Sequence, residues 1–202
     1  MAAASSLFPW RAPASEVEQR ILLENVPWAT YVMLRDTLDS GALHMTYLEG
    51  RLELMVTSRA HEVTKTQIAR LLELFCLERD IPLYGYGGMT FRDEQQERGL
   101  EPDECYCRGT DRELADIALE VVVSNPLVDK LEVYRGLGVR EVWVYLHEDA
   151  KFRLFALRGS AYEVIPSSEV LPELDLAQLV PYLLEPDQHV ALRSFRDHLR
   201  AR

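Results

Sequence analysis

The run DIALEVVV at residues 116–123 constrains the fold more than any other stretch of the chain. It is apolar on both faces, which suits a strand buried inside a sheet with cover on either side. Alternation sends Ile117, Leu119, Val121 and Val123 to one face and Ala118, Glu120 and Val122 to the other. Glu120 is then a carboxylate among small and apolar neighbours. Left unpaired there, its charge costs several kcal/mol, so it needs a cation, a proton or a metal ion.

The elements around this strand alternate in type. Ser15 is a good N-cap for a helix over 16–25, and a second helix follows Pro27 over 28–38, ending near Ser40-Gly41. HMTYLEGRLELMV reads as a hairpin turning at Glu49-Gly50. A long helix over 59–79 carries Val63, Ile68, Leu71, Leu72 and Phe75 on one stripe, and Pro82 marks its end. PLYGYGGMTFRD is strand-like but loosened by glycines, and DEQQERGLE is a polar loop. Strands are expected at 102–107 and 116–124. A helix opened by Pro126 runs to Gly136 or Gly138. Strands at 141–146, 151–157 and 162–165 come next, and helices at 176–184 and 189–200 close the chain. This order predicts an α/β domain, a mixed central sheet flanked by helices. One domain over 15–202, preceded by a flexible arm over 1–14, is the simplest division.

Composition sets outer limits. The 202 residues are 48% apolar and 27% charged, a globular balance. No run approaches the ~18 apolar residues of a membrane span, and no signal peptide is evident, which leaves the cytoplasm by elimination. Cys76, Cys105 and Cys107 have no zinc-site spacing and read as reduced structural thiols. The net charge of −11 opposes a protein that grips nucleic acid by neutralising phosphates, unless a basic patch or bound metal offsets it in one cleft.

If the strands at 102–107 and 116–124 form a hairpin about RGTDRE, Asp103 falls opposite Glu120 on the same face. Their Cβ atoms would then be ~5 Å apart. Two such carboxylates repel unless a positive group lies between them, and Mg²⁺ or Mn²⁺ bound by carboxylate oxygens and waters meets that need. Lys130 shares a helical stripe with Leu127, Leu131 and Tyr134, so it either snorkels from the buried face to solvent or faces inward near the end of the Glu120 strand. Asp103 and Glu120 holding a metal ion, with Lys130 completing the site, suit phosphodiester hydrolysis. A structural buried ion pair, or acids at the surface, is the alternative. His61, at the start of the long helix, is either a partly exposed helix-start residue or an accessory ligand. Glu104 points away from Asp103, and Glu49 is a solvated turn acid.

LEPDECY, followed by DIALEVVVSN and DKLEVYRGLGVREVWVY, resembles the Uma-type restriction endonucleases of the PD-(D/E)XK nuclease superfamily. TYLEGRLELM, RAHE and IPLYGYGGMTFR fit the same pattern, and the resemblance spans roughly residues 25–185. It implies a restriction-endonuclease-like core, with Asp103 as the PD aspartate and Glu120 as the second acid. The expected E-x-K lysine is replaced by Val122, and the resemblance moves that role to Lys130. Thr46 stands where many members carry an acid.

The expected function is therefore a metal-dependent DNA endonuclease. The alternatives are an inactive nuclease-fold binding or assembly module, and hydrolysis of a small phosphorylated compound. Val190 or Ala191, Phe195 and Leu199 give the last helix an apolar face, for docking on the core or for a homodimer contact.

Overall fold

The computed structural model describes residues 18–38 and 43–201. The proposed arm, the Ser15 cap and the Ser40-Gly41 helix end lie outside the described residues.

Two sheets carry the structure where the sequence suggests one. The first has the order β1-β3-β2-β6-β5. Its strands are β1 (Gln19–Leu23), β2 (Leu43–Leu48), β3 (Arg51–Val56), β5 (Phe91–Asp93) and β6 (Arg98–Leu100). All of its pairings are antiparallel. The expected hairpin is β2–β3, and its turn places both Glu49 and Gly50 at positive φ, 47° and 86°. That is the type I′ geometry matching strand twist.

Two expectations fail in this sheet. The stretch expected to be a helix over 16–25 is strand β1, laid along β3 with Leu22 opposite Glu53. Its alternating exposed and half-buried residues are an edge-strand pattern that a five-residue segment displays too briefly to tell from a helical stripe. The expected loop DEQQERGLE is a tight turn entering β6, whose three residues are all buried.

The second sheet has the order β11-β10-β9-β8-β7-β4. It contains β4 (Leu83–Gly85), β7 (Glu104–Arg108), β8 (Ile117–Val122), β9 (Glu141–Leu146), β10 (Lys151–Arg158) and β11 (Ala161–Ile165). Only β8 and β9 run parallel, joined through helix α3 (Lys130–Leu137), as a parallel pair requires a crossover. β8 lies between β9 and β7, inside the sheet.

Helices cover both faces of β8. Ile117, Leu119 and Val121 pack with Ile68, Leu71, Leu72 and Phe75 of α2 (Arg59–Glu78), and with Phe195 and Leu199 of α5 (Gln188–Arg200). Val63, expected on the inward stripe of α2, is 41% exposed. A 3-10 turn (Leu176–Leu179) and α4 (Val180–Leu183) precede α5. On the other face Ala118 and Val142 pack with Val133 and Tyr134 of α3 and with Leu100 of the first sheet, so α3 is wedged between the sheets. Helix α1 (Trp28–Thr37) closes the first sheet through Trp28 and Tyr31, and Tyr31 stacks on Tyr47 at 4.9 Å. Cys76, Cys105 and Cys107 are free, buried thiols. Among the described residues no helix is long and apolar enough to cross a membrane.

Candidate active site

The hairpin register sets the site. Glu104 pairs with Leu119, and Tyr106 with Ile117. One step before the ladder, the same register sets Asp103 opposite Glu120. Both are buried, at 1% and 3% exposure. Glu104, one residue on, is half-buried on the α2 side of the sheet, and burial there raises its carboxyl.

Glu120 is clamped from α3. Lys130 Nζ donates to Glu120 Oε2 at 2.6 Å, and the Tyr134 hydroxyl donates to Oε1. Lys130 and Tyr134 are four residues apart, so both reach the carboxylate from one helical face. The helix itself begins four residues later than Pro126 suggests. Asp129 is its N-cap, accepting from Glu132 N at 3.1 Å, and Leu127 lies outside it, 42% exposed. The lysine thus faces inward from the first helical position, not from a stripe begun at Leu127.

Burial lifts the Glu120 carboxyl above its ordinary range, assisted by the nearby Asp103 charge and opposed by Lys130. For Lys130 burial works against the charged form, but Glu120 and Asp103 outweigh it and hold the ammonium protonated.

Asp103 has a separate set of neighbours. Its Oδ2 accepts from Val121 N at 2.6 Å. Its Oδ1 lies 3.0 Å from His61 Nε2 and 3.8 Å from His44 Nδ1. His61 forms an ion pair there without hydrogen-bond alignment and His44 is too distant to donate, so this buried oxygen has no well-formed hydrogen bond. Burial raises the Asp103 carboxyl, yet the contact and charge of His61, with Lys130 and His44, bring it well below its usual range.

His61 is fully buried, contrary to the partly exposed position expected for it. Ser58 caps α2 by accepting from His61 N at 3.2 Å, which fixes the first turn and aims the ring inward. Its Nδ1 lies 2.6 Å from Glu18 Oε1. Burial alone would lower the imidazole, but Asp103 and Glu18 raise it to about 9. For His44, burial dominates and lowers it.

A supporting network not anticipated from the sequence is built by Glu18, Arg20 of β1 and Glu53 of β3. Glu18 also accepts from Ser124 N at 3.1 Å and from Arg20 at 3.0 Å. Burial raises the Glu18 carboxyl, but His61, Ser124 and Arg20 together lower it to about 2. Arg20 also bonds Glu53 and donates to Ser124 Oγ at 2.9 Å. Glu53 Oε2 accepts from Leu127 N at 2.5 Å and Val128 N at 2.9 Å, pinning the segment that delivers Lys130. Thr46 is buried opposite Glu53, so the acid on this hairpin is one strand over and already committed. A polar residue on alternate faces of an apolar strand was the available signal for Glu53. Reading 16–25 as a helix hid Glu18 and Arg20.

Glu120 and Lys130 line a cleft of about 520 Å³ that also includes Arg51, Val144, Arg153 and Phe155. A second cavity, about 580 Å³ between α2 and α5, contains none of these groups.

A divalent ion fits this donor set on one ground: Asp103 Oδ1 is a buried carboxylate oxygen with no well-aligned hydrogen bond, its nearest cation being the His61 ring at 3.0 Å. Mg²⁺ needs only one or two carboxylates beside water and substrate oxygens. Among the described residues no three His, Cys, Asp or Glu side chains converge on a ready-made metal cage.

No curated protein sequence matches the chain. The family profile Uma2, described as "Putative restriction endonuclease", matches residues 28–191. That is most of the chain, and it includes Asp103, Glu120, Lys130 and His61. The chain belongs to the Uma2 restriction endonuclease family.

Proposed function

We propose that this protein is a metal-dependent endonuclease that hydrolyses DNA phosphodiester bonds at the Asp103–Glu120–Lys130 cluster. The observation that supports it most is the meeting of a half-buried, inward-facing lysine with one of two carboxylates that the strand register sets opposite each other. Asp103 and Glu120 would hold Mg²⁺ or Mn²⁺. When bound, such an ion polarises a phosphoryl oxygen and lowers the pKa of a water molecule.

The chain's own groups do the rest. Lys130 stays protonated, so it serves as a charge: it neutralises a phosphate oxygen and orients the attacking water. Tyr134 holds Glu120 in its rotamer, and His61 with the Val121 amide holds Asp103. These are positioning residues. Preorganised groups of this kind lower a barrier because they need not rearrange as charge develops.

One observation favours a second reading, a nuclease fold used for binding or assembly. Both Glu120 oxygens already have donors, so the cluster is electrostatically satisfied as it stands. Plasmid cleavage separates the two readings. The nuclease reading expects nicking with Mg²⁺ or Mn²⁺, its loss with a chelator, and a drop of at least about 100-fold for Asp103→Asn or Lys130→Met. If folded wild-type protein fails to cut under these conditions, or if the variants cut equally well, the binding reading stands.

A further inference from the structure

The sheet face that carries Glu120 continues past it. The register aligns Glu120 with Val144 on β9, and Val144 with Arg153 on β10. Arg153 is therefore on the same face, two strand spacings away, or about 10 Å. The adjacent row is Ala118, Val142, Phe155 and Val164. Helix α3 covers its first two members. Beyond them Phe155 is half-buried, and Val164 is 71% exposed.

Arg153 is exposed, and among the described residues its guanidinium forms no ion pair, although its charge acts on nearby Asp149. Most other arginines close to the site are committed: Arg20 to Glu18 and Glu53, and Arg51 to the Leu127 carbonyl at 3.1 Å. The cleft thus offers an apolar, aromatic platform with one uncommitted guanidinium, running directly from the Glu120–Lys130 pair. Asp129, which caps α3, is the other acid on its wall.

We propose that this cleft binds one unpaired nucleotide of single-stranded DNA, with its base stacked on Phe155 and its backbone phosphate on Arg153. The inference rests on the nuclease reading of the neighbouring cluster and names the form of its substrate. Charge favours this occupant. A duplex is gripped largely through phosphate neutralisation, which a chain of net charge −11 resists. Base stacking on an aromatic ring adds affinity without positive charge, and an unpaired base presents its apolar face to such a ring. Paired bases in a duplex do not expose that face to a cleft.

Fluorescence anisotropy of the full chain in chelator tests binding without cleavage, using a labelled oligothymidylate and a blunt duplex of equal length. The single strand should bind about 10-fold or more tightly than the duplex. Phe155→Leu, which keeps the apolar fill, should weaken single-strand binding about 5-fold or more, and Phe155→Trp should restore it. Arg153→Gln, at an exposed position, should weaken binding and flatten its salt dependence by about 0.7 in slope. Equal or tighter duplex binding overturns the proposal. So does unchanged single-strand affinity in both Phe155→Leu and Arg153→Gln. Metal-dependent duplex cleavage by those two variants at the wild-type rate would retain the nuclease reading and sink this one. Single-strand binding by a protein that cuts nothing would do the reverse.

Discussion

Glu120 shows what a buried carboxylate demands of its surroundings. Lys130 and Tyr134 occupy its two oxygens. Removing one member of such a pair leaves an uncompensated charge, which costs on the order of 3–5 kcal/mol. Lys130→Met should lose that much in urea unfolding, and Glu120→Gln combined with Lys130→Met should lose clearly less than the two single costs added. Strict additivity would mean that the contact carries no coupling. Glu18 makes a second residue-scale case. It faces His61, Arg20 and Ser124, which hold its folded carboxyl at about 2 against an ordinary 4.5. A carboxyl lowered on folding contributes fully above 4.5, and that contribution is lost as pH falls toward 2. Its size is on the order of 3 kcal/mol. Glu18→Gln should therefore flatten the acid limb of a plot of Tm against pH between about 4.5 and 2. An unchanged acid limb would show that the network does not hold Glu18 ionised.

At the scale of elements, the segment between β8 and α3 decides where Lys130 points. It has no regular structure, and its amides at Leu127 and Val128 depend on Glu53 of β3. Glu53→Gln should speed hydrogen exchange at those two amides by about 10-fold, as a local opening loses a charge-assisted bond. Unchanged protection would show that Pro126 and the α3 cap suffice. The elements also show what was legible beforehand. β8 was readable because the run 116–123 is apolar on both faces apart from Asp116 and Glu120, and its register with β7 followed from the centre of the RGTDRE turn. Lys130 was readable as inward-facing, although its helix starts at the Asp129 cap. β1 was not readable: five residues of one turn or one short strand give nearly the same apolar pattern, and pairing with β3 decided between them. A partly exposed His61 was expected because helix-start residues are commonly solvated, whereas here Glu18 and Asp103, each one residue before β1 and β7, close over the first turn of α2.

At the scale of the whole molecule, the two sheets enclose the polar cluster while the helices bury the apolar faces. Ala191, Phe195 and Leu199 of α5 are buried in the chain's own core, so they are not the face through which a second copy would pair. The charge of −11 belongs to the whole chain and opposes an incoming phosphate. In the proposed reading a doubly charged ion would compete with Lys130 and the His61 ring for Glu120 and Asp103, and would offset the charge of an incoming phosphate. Calorimetric titration with Mn²⁺ tests that directly. The account predicts saturable one-site binding by wild-type protein, weakened at least about 10-fold by Asp103→Asn and by Glu120→Gln, with circular dichroism unchanged in both. Heats of dilution alone for the wild type, or equal affinity in the two variants, would contradict it.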